Sequence, residues 1–248
     1  MITDENVCNF YKNLDTPGVY GNSKASLQIF RGKSNFQWVP GGCERNDAIF
    51  KKYHVIPEFC FNCYKVLVEP RTVIELFKLF ILFEKPFLPN NHRRKCMTEL
   101  RTGNSGAYKG FIYCRGREDG EEVFDIAKRA VAEEISADIS ITLKRGCSHF
   151  GAAYPDYSSM KPGIEPMKYD ENWRIHEDEF DRNVIYSQPS ISDTDNNVNS
   201  GYSPSEIFAM TFWLGYAATI GDDSYLKISG HSLPPIPGLE RPPFSISK

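Results

Sequence analysis

No stretch of this 248-residue chain is apolar for long enough to span a bilayer. The longest run, VIELFKLFILF at 73–83, is broken by Glu75 and Lys78, whereas a spanning helix needs about 20 mostly apolar residues. The N-terminus, MITDENVCNFYKNLD, has acids where a secretory leader would have bases, and no apolar segment follows. Net charge is also scarce, at −3. That excludes a global attraction to nucleic acid or an anionic membrane and leaves only local patches. Walker loops, GxGxxG, HExxH, GxSxG and EF-hand patterns are absent, so none of those ready-made sites is predicted. No repeat of solenoid period is found. Cysteine is missing from the last 101 residues, with all seven (8, 43, 60, 63, 96, 114 and 147) in the first 147.

What is present is a large globular core. Hydrophobic residues make up 41% and aromatics 13%, which excludes collagen, coiled coil and wholesale disorder. The length suits one elaborated domain or two small ones. The expected location is the cytoplasm, with no membrane partner. Reducing conditions and the odd cysteine count then argue against structural disulfides.

Residues 1–59 read as irregular, with turns at 16–22 and 39–43 and short strands near SLQIF and FQWV. The centre is more regular. CYKVLVEP (63–70) predicts a strand stopped by Pro70, and Thr72 with Glu75 makes a capping box for a helix over 73–85 that is apolar on nearly every side. Strands follow at 95–101 and 107–114, then an amphipathic helix at about 121–136 and an alternating strand at 138–147. After 147 the chain reads as loop, with an acidic stretch at 170–181 that is a short helix or a solvated face. Ser203, Pro204 and Glu206 start a helix over 204–220. YLKIS (225–229) reads as a closing strand, and the tail from 231 carries five prolines.

The predicted class is therefore α+β. A ferredoxin-like β-α-β-β-α-β core with an antiparallel sheet in the order 4-1-3-2 spans 60–150. A segment over 1–59 packs on it. A C-terminal extension over 151–248 holds a mobile loop (188–203), the docked helix and the Pro-rich tail. The all-round apolar helix 73–85 is also a candidate homodimer surface.

This topology draws strand ends together. Cys60 and Cys63 open the first strand, Cys96 the second, and Cys114 and Cys147 close the third and fourth, so five thiols are expected at one end of the sheet. Thiolates in that number suit zinc or an iron–sulfur cluster, and CxxC at 60–63 places two on one metal; Cys43 or His149 would complete the set. The competing reading is that these are small buried hydrophobes. Side-chain alternation gives it weight, since Cys114 shares a face with Ile112 and Cys147 with Leu143. The same end carries Arg93, Arg94, Lys95, Arg115, Arg117, Lys144 and Arg145, a basic rim suited to an anion.

The sheet face away from the helices offers a second site. Lys65, Glu69, Lys109, Tyr113 and Arg115 would line it, as acid–base and anion-clamping groups for an anionic or phosphorylated small molecule once the extensions cover them. Lys109-Gly110-Phe111-Ile112-Tyr113 also resembles the start of an RNA-binding strand motif, although Ile112 stands where a small residue is wanted. RNA is the lesser candidate partner. His54, His176 and His231 are isolated.

Overall fold

The computed structural model describes residues 1–14, 28–31, 42–101, 104–160, 166–183 and 202–239. In chain order the elements are α1 (Asp4–Lys12), β1 (Gln28–Arg31), α2 (Gly42–Tyr53), α3 (Glu58–Phe61), β2 (Cys63–Glu69), α4 (Val73–Glu84), β3 (Arg94–Thr98), β4 (Tyr108–Arg115), α5 (Gly116–Glu134), β5 (Ser140–Arg145), α6 (Ser148–Ala153), α7 (Pro155–Ser158), a 3₁₀ turn (Glu171–Trp173), α8 (Arg174–Asn183), α9 (Pro204–Ile220) and α10 (Tyr225–Ser229). The class is α+β. One antiparallel sheet runs β1-β3-β4-β2-β5, so β1, from the SLQIF segment, extends the sheet beyond β3. The predicted strand at FQWV and the loop expected at 188–203 lie outside the described residues, apart from Tyr202 and Ser203, which lead into α9.

Helices α4 and α5 both pack on one face of the sheet. Thr72 Oγ1 accepts from Glu75 N (3.3 Å) to start α4. The Glu75 carboxylate turns to the Arg71 backbone N–H (2.8 Å) instead of closing the predicted box on Thr72. Gly110, on central strand β4, lets α4 approach closely, because a Cβ there would collide with Leu79. The glycine of the RNA-motif resemblance is thus spent on helix packing.

The apolar girth of α4 is consumed within this chain. Val73, Leu76, Phe77, Leu79, Phe80, Leu82 and Phe83 are buried, each such side chain worth about 1.5–3 kcal/mol. Their cover comes from α1, α9, α10 and α5; Trp213 of α9 lies edge-on to Phe77 (5.5 Å). The apolar side chains that made 73–85 a candidate homodimer surface are thus largely covered within this chain, with Ile81 partly exposed.

Helix α9 keeps the predicted bounds and caps. Ser203 and Glu206 exchange backbone and side-chain bonds, and Gly221 ends the helix at φ 83°. Just beyond, the buried carboxylate of Asp222 accepts from Val73 N and from the Tyr108 hydroxyl, both at 2.6 Å. One group thus ties the end of α9 to the start of α4 and to β4.

Three local expectations are corrected, and the acidic stretch takes the helical one of its two readings. YLKIS is α10 and not a strand, with Tyr225 and Ile228 one helical turn apart and both buried. The N-terminal region is not wholly irregular. Thr3 and Asn6 cap α1 reciprocally, and α2 spans twelve residues. The loop expected after 147 holds α6 and α7. The acidic stretch is the 3₁₀ turn and α8, and its acids are engaged: Arg45 of α2 grips Asp181 with two 2.7 Å bonds and Glu177 at 3.1 Å.

Candidate functional site

Strand register sorts the side chains on the face opposite α4 and α5 into rows. Lys65 of β2 pairs with Tyr113 of β4 and Lys144 of β5. Leu67 pairs with Phe111 and Thr142, and Phe111 with Lys95 of β3. Lys109 lies beside Met97, which faces Gln28 of β1. The predicted set Lys65, Glu69, Lys109, Tyr113 and Arg115 therefore does share a face, but it divides into separate groups.

Glu69 and Lys109 form a closed pair. Lys109 Nζ is in contact with Glu69 Oε1, Ser105 Oγ donates to the same oxygen (3.4 Å), and Lys109 is buried. Two opposite charges in contact neutralise each other, which suits a structural strut better than an anion clamp. Arg115 stands apart at the exposed end of β4, where its backbone N–H donates to Asp119 (2.7 Å).

Lys65 and Tyr113 belong to the other group. The Lys65 ammonium donates to Cys147 Sγ at 3.3 Å and lies 5.7 Å from the Tyr113 ring centre. Burial opposes its charge, but the facing thiols of Cys147 and Cys63 and the Tyr113 phenol outweigh burial and hold its pKa above the ordinary lysine value. Burial pushes Tyr113 up to about 12 and Cys63 up to about 11; burial also raises Cys43. In the next row Lys95 Nζ donates to Gln28 Oε1 (2.9 Å) and sits 5.1 Å from the Phe111 ring centre. Burial, with repulsion from Lys65 and Arg101, brings Lys95 down to about 8. Burial also lowers Arg93, whose carbonyl accepts from Tyr113 N (2.9 Å).

Cys147 reaches this face through a backbone device. By simple alternation it would share the helix-covered side with Leu143. Gly146, at φ 55°, interrupts the strand, and a Cβ there would overlap the Tyr157 ring. The chain turns, and the thiol comes to Lys65.

The five predicted metal ligands are not brought together. Cys96 faces Gly110 and Ile29, and Cys114 faces Tyr64; both lie on the helix-covered side, fully enclosed, and burial raises both thiol pKa values. Cys60 is sealed among Ile56, Phe61, Phe150 and Tyr157, with burial pushing its thiol well up. Cys63 and Cys147 remain, on the opposite face. Among the described residues no three His, Cys, Asp or Glu side chains are grouped to hold a metal ion. Strand ends can share one end of a sheet while their side chains leave from opposite faces, and this separates Cys96 and Cys114 from Cys63 and Cys147. His149 lies 3.5 Å from Asp47 instead.

The basic rim is also divided. Arg94 donates to the Phe83 and His92 carbonyls (2.9 and 3.0 Å). Arg145 is buried on the carbonyls of Phe61, Tyr157 and Met167 (3.0, 3.3 and 2.9 Å). Arg117 pairs with Glu121 (2.7 Å). Arg93 and Lys95 stay with the Lys65 group. Sequence reasoning did not join Lys95 to Lys65 and Tyr113, although their register positions on neighbouring strands carried that signal.

Comparison with protein-family models, with curated proteins and with solved structures finds no match for this chain. Among the described residues no helix is long and apolar enough to cross a membrane.

Proposed function

We propose that the sheet face opposite the helices binds a small anionic molecule through Lys65, Lys95 and Arg93, with Phe111 and Tyr113 as its apolar floor. The observation that carries this is the charge pattern of the register. The rows through Lys65 and Lys95 hold lysines and aromatics and, among the described pairs, no Asp or Glu, while Glu69 is matched to Lys109 and Glu99, beyond the end of β3, to Arg101. A half-enclosed field of one sign attracts the opposite charge. Its strength is legible in Lys95, brought down to about 8 by burial and neighbouring cations; a bound anion would relieve both penalties. A phosphate or carboxylate group is the fitting ligand chemistry. We place this face in a ferredoxin-like unit, a reading supported by the order β3-β4-β2-β5 and by both helices packing on one side.

The test is calorimetric titration with inorganic phosphate, pyrophosphate and citrate, against a single-stranded oligonucleotide. The expected result is binding of at least one small anion that weakens with added salt and falls about tenfold or more in Lys95→Met, as for loss of a charge-assisted contact worth about 1.5–3 kcal/mol. Binding of the oligonucleotide alone, or anion binding unchanged in Lys95→Met, would overturn the proposal.

A further inference from the structure

Lys109, Lys65 and Lys95 share the sheet face opposite the helices, and each meets a different kind of partner. Lys109 is closed against the Glu69 carboxylate. Lys65, on β2, meets the Cys147 sulfur and the Tyr113 ring, and its pKa is held above the ordinary lysine value. Lys95, on β3, donates to the neutral amide oxygen of Gln28 at 2.9 Å and lies over the Phe111 ring. An amide oxygen accepts an N–H from an amine as well as from an ammonium, so that contact survives loss of the proton. The setting is enclosed: Lys95 is half-buried, and Leu67, beyond Phe111 in the same row, is buried. The charged and titratable groups acting on Lys95 are Lys65 on β2, Arg101 after β3, Cys43 on α2 and Cys147 after β5. Burial and the two cations outweigh the thiols and bring Lys95 down to about 8. A desolvated amine beside another cation is the nucleophilic form of lysine, and two lysines pushed in opposite directions divide the roles of holder and attacker.

We propose, on the basis of the anion-binding reading above, that Lys95 is an imine-forming residue and that the ligand of this face is a small 2-oxo acid. Such an acid carries its carboxylate and its carbonyl on adjacent carbons, which matches cations set beside a nucleophile on one face. Lys65 and Arg93 hold the carboxylate, and the Lys95 amine attacks the carbonyl carbon. A C–N bond forms, the carbonyl oxygen takes both amine hydrogens and leaves as water, and a C=N bond replaces C=O. Nothing is oxidised or reduced, and no co-reactant is needed. Lys109 cannot take this part, because its ammonium is matched to Glu69.

The experiment is incubation of the full chain with pyruvate and cyanoborohydride, which fixes an imine as a stable amine, followed by peptide mass mapping. Acetone is the carbonyl compound that lacks the carboxylate, and exposed Lys51 is the internal standard. At neutral pH pyruvate should be fixed on Lys95 at least about tenfold faster than on Lys51, because far more of a lysine near 8 than of an ordinary one is the free amine. Acetone should mark Lys95 much less than pyruvate does. The preference for Lys95 should be lost in Lys65→Met and kept in Lys65→Arg. Equal marking of Lys95 and Lys51 by pyruvate would overturn the imine, while anion binding by calorimetry would still stand or fall separately. Preferential marking of Lys95 by pyruvate and acetone alike would overturn the carboxylate clamp, and with it the 2-oxo acid. Should Lys65→Met fail to fold, the pH profile of formaldehyde labelling in the unaltered protein decides. Lys95 should reach half its maximal rate near pH 8, and a rate still climbing alongside Lys51 above about pH 10 would overturn the proposal.

Discussion

The two faces of the sheet use the same residue types to opposite ends. On the helix-covered face, Cys96 and Cys114 are sealed among aliphatic and aromatic groups, Arg94 is bonded to carbonyls, and Asp222 satisfies a helix N–H and a phenol at once. Polar atoms there fix geometry. On the other face Lys65, Lys95 and Cys147 are half-buried and meet rings, an amide and each other. These cations and this thiol stay partly open to solvent, and strand parity decides which face each cation joins.

That contrast can be broken by substitution. The largest expected effect is at Asp222. Its removal in Asp222→Ala strands two buried donors, Val73 N–H and the Tyr108 hydroxyl, each costing about 1–3 kcal/mol; urea unfolding should show a loss of about 3 kcal/mol or more. Gly110→Ala drives a methyl into Leu79 and should cost about 1–3 kcal/mol by overpacking, read in the same way. On the opposite face Lys109→Met leaves Glu69 without its ammonium and should cost about 1 kcal/mol, because Glu69 is only half enclosed. The double variant Lys109→Met with Glu69→Leu should recover that loss, and no recovery would mean that the pair is not the strut described.

The smallest effect is a slope with pH. Cys63 is held protonated by burial up to about 11, whereas the unfolded thiol ionises near 8.5. Between those values the folded chain binds more protons than the unfolded one, so this contribution is complete below pH 8.5 and is lost as pH rises towards 11. Cys63→Ala should therefore flatten the decline of the unfolding free energy over that window, and an unchanged decline would place Cys63 in water.

Much of the scaffold was legible where local chemistry and periodicity agree. Ser203, Pro204 and Glu206 announce α9, and Thr72 with Pro70 marks the passage from β2 to α4. YLKIS was misread because a short apolar run fits a strand and a helical turn equally, and its two anchors, Tyr225 and Ile228, declare themselves only by docking. At the site, alternation already put Cys63 and Cys114 on opposite sides of the sheet, which argued against one thiol cluster. The Lys65–Cys147 contact could not be read by alternation, because Gly146 breaks the pattern one residue before the thiol.

Cysteines of one chain meet different fates on the two faces, and residue-resolved alkylation of all seven under native conditions tests this most directly. Cys43 and Cys147 should react early, and Cys96 and Cys114 only at the rate of global unfolding. Labelling of Cys96 or Cys114 as fast as Cys147 would contradict it.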